Sequence, residues 1–168
     1  SNTFPSPLKG VVLGDFDGDG DLDAFVIGHL SEASPLHEGN EPNTGPIREV
    51  WINDGSGNFI NSGQSITDID VGKTMVGDFD GDGDLDVFVA QQNPPMGNKI
   101  WLNDGHGVFT DSGQALGDSD TFTAALGDLD GDGDLDVFLG NGDLKYDSGK
   151  PVGVGSPDRV LFNNSLHE

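Results

Sequence analysis

The chain contains no cysteine, so a disulfide framework, a thiolate metal site and a cysteine nucleophile are all excluded. Basic residues are nearly as scarce: 7 Lys and Arg stand against 30 Asp and Glu, for a formal net charge of −23. Affinity for nucleic acid comes from Lys and Arg neutralising phosphates, so this balance argues against a nucleic-acid partner and equally against an anionic membrane surface. No apolar run approaches the roughly 18 residues of a spanning helix, so membrane insertion is not expected. The segment Ser1 to Lys9 lacks a signal-peptide core, and the chain reads as soluble. Glutamate is rare too. Glu32, Glu38, Glu41, Glu49 and Glu168 are the only five, which leaves 25 Asp. A merely solubilising acidic segment has no reason to prefer Asp fivefold, whereas loops that wrap hard cations favour the shorter carboxylate in tight turns.

What the chain does have is glycine and repetition. With 27 Gly and 9 Pro in 168 residues, long helices are disfavoured and a turn-rich all-β protein is expected. Asp15 to Asp23 reads DFDGDGDLD, Asp78 to Asp86 repeats it, and Asp128 to Asp136 reads DLDGDGDLD. A second motif alternates with the first: Trp51 to Phe59 reads WINDGSGNF, Trp101 to Phe109 reads WLNDGHGVF, and Leu161 to Asn164, LFNN, is a worn third copy. The acidic segments lie 63 and 50 positions apart and the Trp motifs 50 apart. A period of about 50 residues signals a propeller or an array. Residues 1–168 therefore read as one repeat domain with units at 8–64, 65–115 and 116–168. The length variation falls in 29–47 and 141–157, both rich in Gly, Pro, Asn and Ser. Such insertions either display a binding face or drift in a tolerant loop.

Within the second unit, Lys73 to Val76, Leu85 to Ala90, Lys99 to Leu102 and Val108 to Thr110 carry strand signals. Runs such as Val87-Phe88-Val89, Ala24-Phe25-Val26-Ile27 and Val137-Phe138-Leu139 are apolar on both faces, as expected of small sheets covered on both sides. Asn53-Asp54-Gly55 and Asn103-Asp104-Gly105 are hairpin turns, because such turns need positive backbone angles that Asn, Asp and Gly tolerate. The fold class that follows is all-β, with three four-stranded antiparallel blades.

The acidic segments have the pattern of a cation loop. Counting the first Asp as position 1, carboxylates fall at positions 1, 3, 5 and 9, with Gly at 6 and Asp at 7. Five carboxylates in nine residues repel one another unless a cation sits among them, and side chains at 1, 3 and 5 plus a backbone carbonyl at 7 are how calcium loops wrap their ion. The candidate ligands are Asp15, Asp17, Asp19 and Asp23 with the carbonyl of Asp21, Asp78, Asp80, Asp82 and Asp86 with that of Asp84, and Asp128, Asp130, Asp132 and Asp136 with that of Asp134. About three Ca²⁺ are expected, one per unit. An EF-hand would need Glu at position 12, where Val26, Val89 or Leu139 stands, and a nonapeptide β-roll would repeat every nine residues. What remains is a β-hairpin calcium loop closed by the Asp at position 9.

The units GDFDGDGDLDAFV, GDFDGDGDLDVFV and GDLDGDGDLDVFL, each followed by a WxNDGxGxF or LFNN segment, resemble the FG-GAP or VCBS repeats of bacterial secreted and surface proteins. These are similar to the calcium-binding blades of the integrin α-chain propeller. The resemblance covers residues 10 to 164 and implies calcium in the hairpin between the first two strands of each blade, with Asp at positions 1, 3, 5 and 9 as side-chain ligands. The family closes rings of about seven blades, and propellers need about four to eight. Three blades make a partial propeller, either completed by another chain or part of a longer propeller. The last unit stops where its fourth strand should follow; Asn2 to Pro7 of a neighbouring molecule, with Phe4 in the place of Phe59 and Phe109, would supply that strand and give a dimer or a fibre by self-association through blade edges.

Other residues carry blander readings. Trp51 and Trp101 can stack on sugars but fit better as inter-blade core. His29, His37, His106 and His167 share no repeat position, Asn163-Asn164-Ser165 is a lone glycosylation tripeptide, and no Ser, His and Asp arrangement marks a nucleophile. The expected function is a non-catalytic extracellular calcium-binding module for adhesion, glycan binding or self-assembly, with a glycan or surface protein as a further partner. The alternative is an accessory or catalytic propeller of a secreted polysaccharide-active enzyme, whose chemistry would have to lie in 29–47 and 141–157.

Overall fold

A computed structural model describes residues 8–29, 46–64, 66, 73–91, 97–114, 116–117, 121–142, 144–147, 150–153, 157–161 and 163. Glycine-rich turns divide the chain into short extended runs, and each run pairs with the one before it. The first sheet takes β1 (Leu8–Gly14), β2 (Asp23–His29), β3 (Pro46–Asn53) and β4 (Phe59–Asn61) in that order, all antiparallel. The second repeats the arrangement with β5 (Lys73–Gly77), β6 (Asp86–Ala90), β7 (Lys99–Asn103) and β8 (Phe109–Asp111). The four strands predicted for this unit are present. The third sheet joins β9 (Thr121–Gly127), β10 (Asp136–Asn141) and, after an intervening hairpin of β11 (Leu144–Asp147) and β12 (Lys150–Gly153), β13 (Arg159–Leu161).

The third sheet has three strands among the described residues. The segment expected to supply a fourth, Asn2 to Pro7, lies outside them, as do His37 and His167. The hairpin of β11 and β12 falls in the stretch 141–157, which the sequence marks only as an insertion. No described segment is helical, and none could cross a membrane as a helix.

Register shows that the three units are copies of one another. The glycine before each acidic loop pairs with the Asp that closes it: Gly14 with Asp23, Gly77 with Asp86 and Gly127 with Asp136. Ala24, Val87 and Val137 then face Trp51, Trp101 and Leu161. Leu161 therefore occupies the Trp position, as the worn LFNN motif predicts.

The blades stack face on face, which explains why their central strands are apolar on both sides. Between the first two blades, Phe25, Ile27 and Val50 pack against Val87, Val89 and Trp101. Phe109 meets Phe16 and Phe25 edge-on, with ring centroids 5.3 and 5.5 Å apart. Such pairs contribute about 0.5–1.5 kcal/mol each beyond area burial. Between the second and third blades, Phe79, Phe88 and Ile100 pack against Val137 and Leu139. Trp101 is core, and Trp51 lies buried with Ala24 and Val26 on the other side of the first blade, its Nε1 donating to Glu49 at 2.8 Å.

Polar links cross the same interfaces. Gln64, just after β4, accepts a bond from the Phe109 N–H at 2.8 Å and donates to the Gly107 carbonyl. Buried Asn98 accepts from the Gln91 N–H at 2.8 Å and donates to the Thr121 hydroxyl at 3.0 Å, and that hydroxyl in turn donates to Asn141. Satisfied buried networks of this kind fix one alignment of the packed faces.

Candidate metal centres

Each acidic loop joins the first two strands of its blade and is held by its own carboxylates. In the first loop Asp15 accepts the N–H of Gly18 at 2.9 Å and of Gly20 at 3.0 Å, Asp17 accepts that of Asp19 at 3.2 Å, and Asp19 accepts that of Asp21 at 2.9 Å. The second loop repeats this with Asp78, Asp80 and Asp82, and the third with Asp128, Asp130 and Asp132. The fold-back that lets one Asp reach two N–H groups needs positive φ at positions 4 and 6. Gly18 and Gly20 have φ of 76° and 94°, and their counterparts in the other loops lie in the same region, where a Cβ is strained.

The Asp at position 9 has a different environment. Asp23, Asp86 and Asp136 are fully buried. One oxygen accepts the N–H of the position-2 residue, Phe16, Phe79 or Leu129, at 2.8, 2.8 and 2.7 Å. The other accepts the N–H of Asn53, Asn103 or Asn163, each at 2.8 Å. The carboxylate thus closes the loop and pins the third strand to it. Sequence reading assigns this residue to the ion alone and misses the brace.

The same Asn does a second job. Asn103 Nδ2 donates to the Phe16 carbonyl at 2.9 Å and Asn163 Nδ2 to the Phe79 carbonyl at 2.8 Å, so the third strand of one blade latches the acidic loop of the blade before it. Its signal in the sequence is the Asn shared by WINDG, WLNDG and LFNN, which the hairpin reading absorbs as a turn residue. Asn163, part of the lone glycosylation tripeptide, is held by this contact. The turn after Asn103 also lies against the first loop: a Cβ added at Gly18 would stand 3.7 Å from the Gly105 carbonyl oxygen.

Three carboxylates in each loop converge. Asp15, Asp17 and Asp19 in the first, Asp78, Asp80 and Asp86 in the second, and Asp128, Asp130 and Asp136 in the third each bring one oxygen within 4.8 Å of the others. Oxygens on opposite sides of a Ca²⁺ ion stand about 5 Å apart, given ligand distances of about 2.3–2.6 Å, so the spacing fits a hard cation held by oxygen alone. Asp23, Asp82 and Asp132 stand outside these triplets. The side chains of Asp21 and Asp84 lie against Gly55 and Gly105, where a Cβ would come within 2.6 and 2.4 Å of a carboxylate oxygen. Their position-7 role was assigned to the backbone carbonyl, and these contacts show that the side chains pack against the turn of the same blade.

Lost hydration and charge repulsion both act on the loop carboxyls. The carboxyls of Asp17, Asp80 and Asp130 are held above the ordinary aspartate range, first by lost hydration and then by neighbouring acids, with backbone N–H groups opposing the shift. Burial pushes Asp86 up to about 6 against the two N–H bonds it accepts. Because this folded-state value lies above the unfolded one, the group favours the metal-free fold at acid pH, and that advantage is lost as pH rises through about 6. A cation beside it at neutral pH removes the penalty.

Stacked antiparallel sheets of four, four and three strands, each with an acidic loop between its first two strands whose carboxylates could hold a metal ion, define a blade-repeat protein. Residues 78–139 match the family model described as an FG-GAP-like repeat. The matched span runs from the second acidic loop into β10; the same loop and register recur at Asp15–Asp23, outside it. No curated protein and no solved structure matches the chain.

Proposed function

We propose that the chain is a non-catalytic calcium-binding repeat module that works outside the cell, with Ca²⁺ locking each acidic hairpin so that its blade can stack on the next. The observation that carries the reading is the threefold recurrence of one loop geometry, in which short carboxylates hold the backbone and still converge on a common point. Calcium suits this donor set better than magnesium, because Mg²⁺ demands near-ideal octahedral geometry and parts reluctantly with its water. Three bound ions would add six positive charges and bring the net charge from −23 to −17. Extracellular modules bind Ca²⁺ with dissociation constants of about 10⁻⁴ to 10⁻³ M, so the sites fill outside cells and empty within them. The remaining surplus of acid keeps such a module soluble in that setting.

Calorimetric titration of the metal-stripped protein tests the reading. About three Ca²⁺ should bind in that affinity range, Mg²⁺ far more weakly, and Asp17→Asn should remove or cripple one site. Absence of binding at millimolar Ca²⁺, or equal binding of Mg²⁺, would sink it.

A further inference from the structure

The two ends of the stack are complementary, position by position. The face of the second blade that covers the first uses Val76, Val87, Val89, Trp101 and Phe109. Their counterparts in the first blade are Leu13, Ala24, Val26, Trp51 and Phe59; there Ala24, Val26 and Trp51 are buried, while the β1 side of the face is exposed at Val11 and Leu13. It forms a groove of about 240 Å³ lined by Leu8, Val11, Leu13, Ala24, Val26 and Phe59, all apolar. At the other end, Phe88 and Ile100 of the second blade are buried against the third, whereas their counterparts Phe138 and Val160 are exposed.

Three specific contacts recur at both interfaces of the stack and are left half-made at its ends. The first is the Leu at position 8. Leu85 reaches over Gly14, its Cδ1 3.1 Å from where a Cβ would stand, and Leu135 reaches over Gly77 in the same way. Leu22 is 55% exposed, and Gly127 is approached only by Leu129 of its own blade. The second is the residue at position 2: Phe16 and Phe79 are 0% and 4% exposed under the following blade, and Leu129 is 51% exposed. The third is the Asn latch. Asn103 and Asn163 bond the position-2 carbonyl of the preceding loop, while Asn53 bonds only within its blade, to the Leu22 carbonyl at 3.2 Å, and no side chain among the described residues reaches the Leu129 carbonyl. Soluble repeat stacks ordinarily end in a polar face; here both ends are apolar and each carries the half of every contact that the other lacks.

We propose that the chain assembles head to tail, the exposed face of the third blade of one copy covered by the apolar groove and exposed β1 side of the first blade of a second copy. In that junction the second copy's Leu22 lies over Gly127 of the first, and the second copy's Asn53 latches the Leu129 carbonyl of the first. The contact is heterologous, so it either closes into a ring of copies or grows as a filament. It continues the interface already present twice within the chain, and it differs from strand donation, which would use a blade edge. It stands on the apolar faces and the latch, whichever ion occupies the loops.

Sedimentation of the calcium-loaded protein over a wide concentration range is the test. The mass should rise from one chain to two or more. Leu22→Arg and Phe138→Arg, both at exposed positions, should each hold the protein at one chain while leaving its circular dichroism unchanged, and Leu129→Arg should match Phe138→Arg. Mixing Leu22→Arg with Phe138→Arg should restore association and stop it at two chains, because one intact junction remains. A chain that stays monomeric at every concentration would overturn the proposal. So would loss of association in only one of the two end variants, which is the signature of a symmetric contact. Calcium binding is read separately by titration, so failure of one result does not disguise failure of the other.

Discussion

Adding calcium to the metal-stripped protein should raise its melting temperature by roughly 10 to 30 °C. A ligand present at ten to a hundred times its dissociation constant stabilises the native state by about 1.4 to 2.7 kcal/mol per site. Three loops acting independently give about 4 to 8 kcal/mol, and a chain of this size gains about 2–4 °C per kcal/mol. The effect is large because the metal-free loops start from a disfavoured state: three carboxylates converge in each, and lost hydration and mutual repulsion hold the carboxyls of Asp17, Asp80 and Asp130 above the ordinary aspartate range. Scanning calorimetry with calcium and then with excess chelator measures it. Identical melting under both conditions would remove the ion from the account of this fold.

Replacing Asp86 separates the two roles that a loop Asp can have. Asp86→Ala leaves the N–H groups of Phe79 and Asn103 without acceptors in a buried place, at about 1–3 kcal/mol each, so a total loss of about 3–5 kcal/mol is expected. Much of that loss should persist in chelator, because the brace does not depend on the ion. Asp80, at position 3, is exposed and braces only the neighbouring Asp82 N–H. Asp80→Ala should therefore weaken the protein in calcium and change it little in chelator. Urea unfolding of both variants under the two conditions gives the comparison; equal behaviour of the two in chelator would show that Asp86 has no structural role of its own.

The acidic loops, the four-stranded blade and the core position of Trp101 are legible in the sequence because each depends on local pattern: carboxylate spacing, turn residues and apolar runs, written three times over. The latch is not. Asn103 and Phe16 are 87 positions apart and Asn163 and Phe79 are 84 apart, and no periodicity within a unit reports a contact between units. The brace escapes for a related reason. The position-9 Asp sits in a motif whose other acids face solvent, and its burial follows from the third strand closing over it. Gln64 and the Asn98, Thr121 and Asn141 network are likewise set by how the blades meet. The hairpin of β11 and β12 was hidden by composition, since Pro151 and Gly153 stand within β12 itself.

A stack of three units has only one member with neighbours on both sides. Every side chain of β6, from Asp86 to Ala90, is buried, whereas β10 in the last blade has Phe138 in solvent and β1 in the first exposes Val11 and Leu13. Stability in such an array is a sum of unit and nearest-neighbour terms, so opening begins at the ends and moves inward. Amide hydrogen exchange should accordingly be slowest in β6 and fastest in β1 and β13. Any neighbour that covers an end face should slow exchange in that end blade first and leave the middle blade, already covered, almost unchanged.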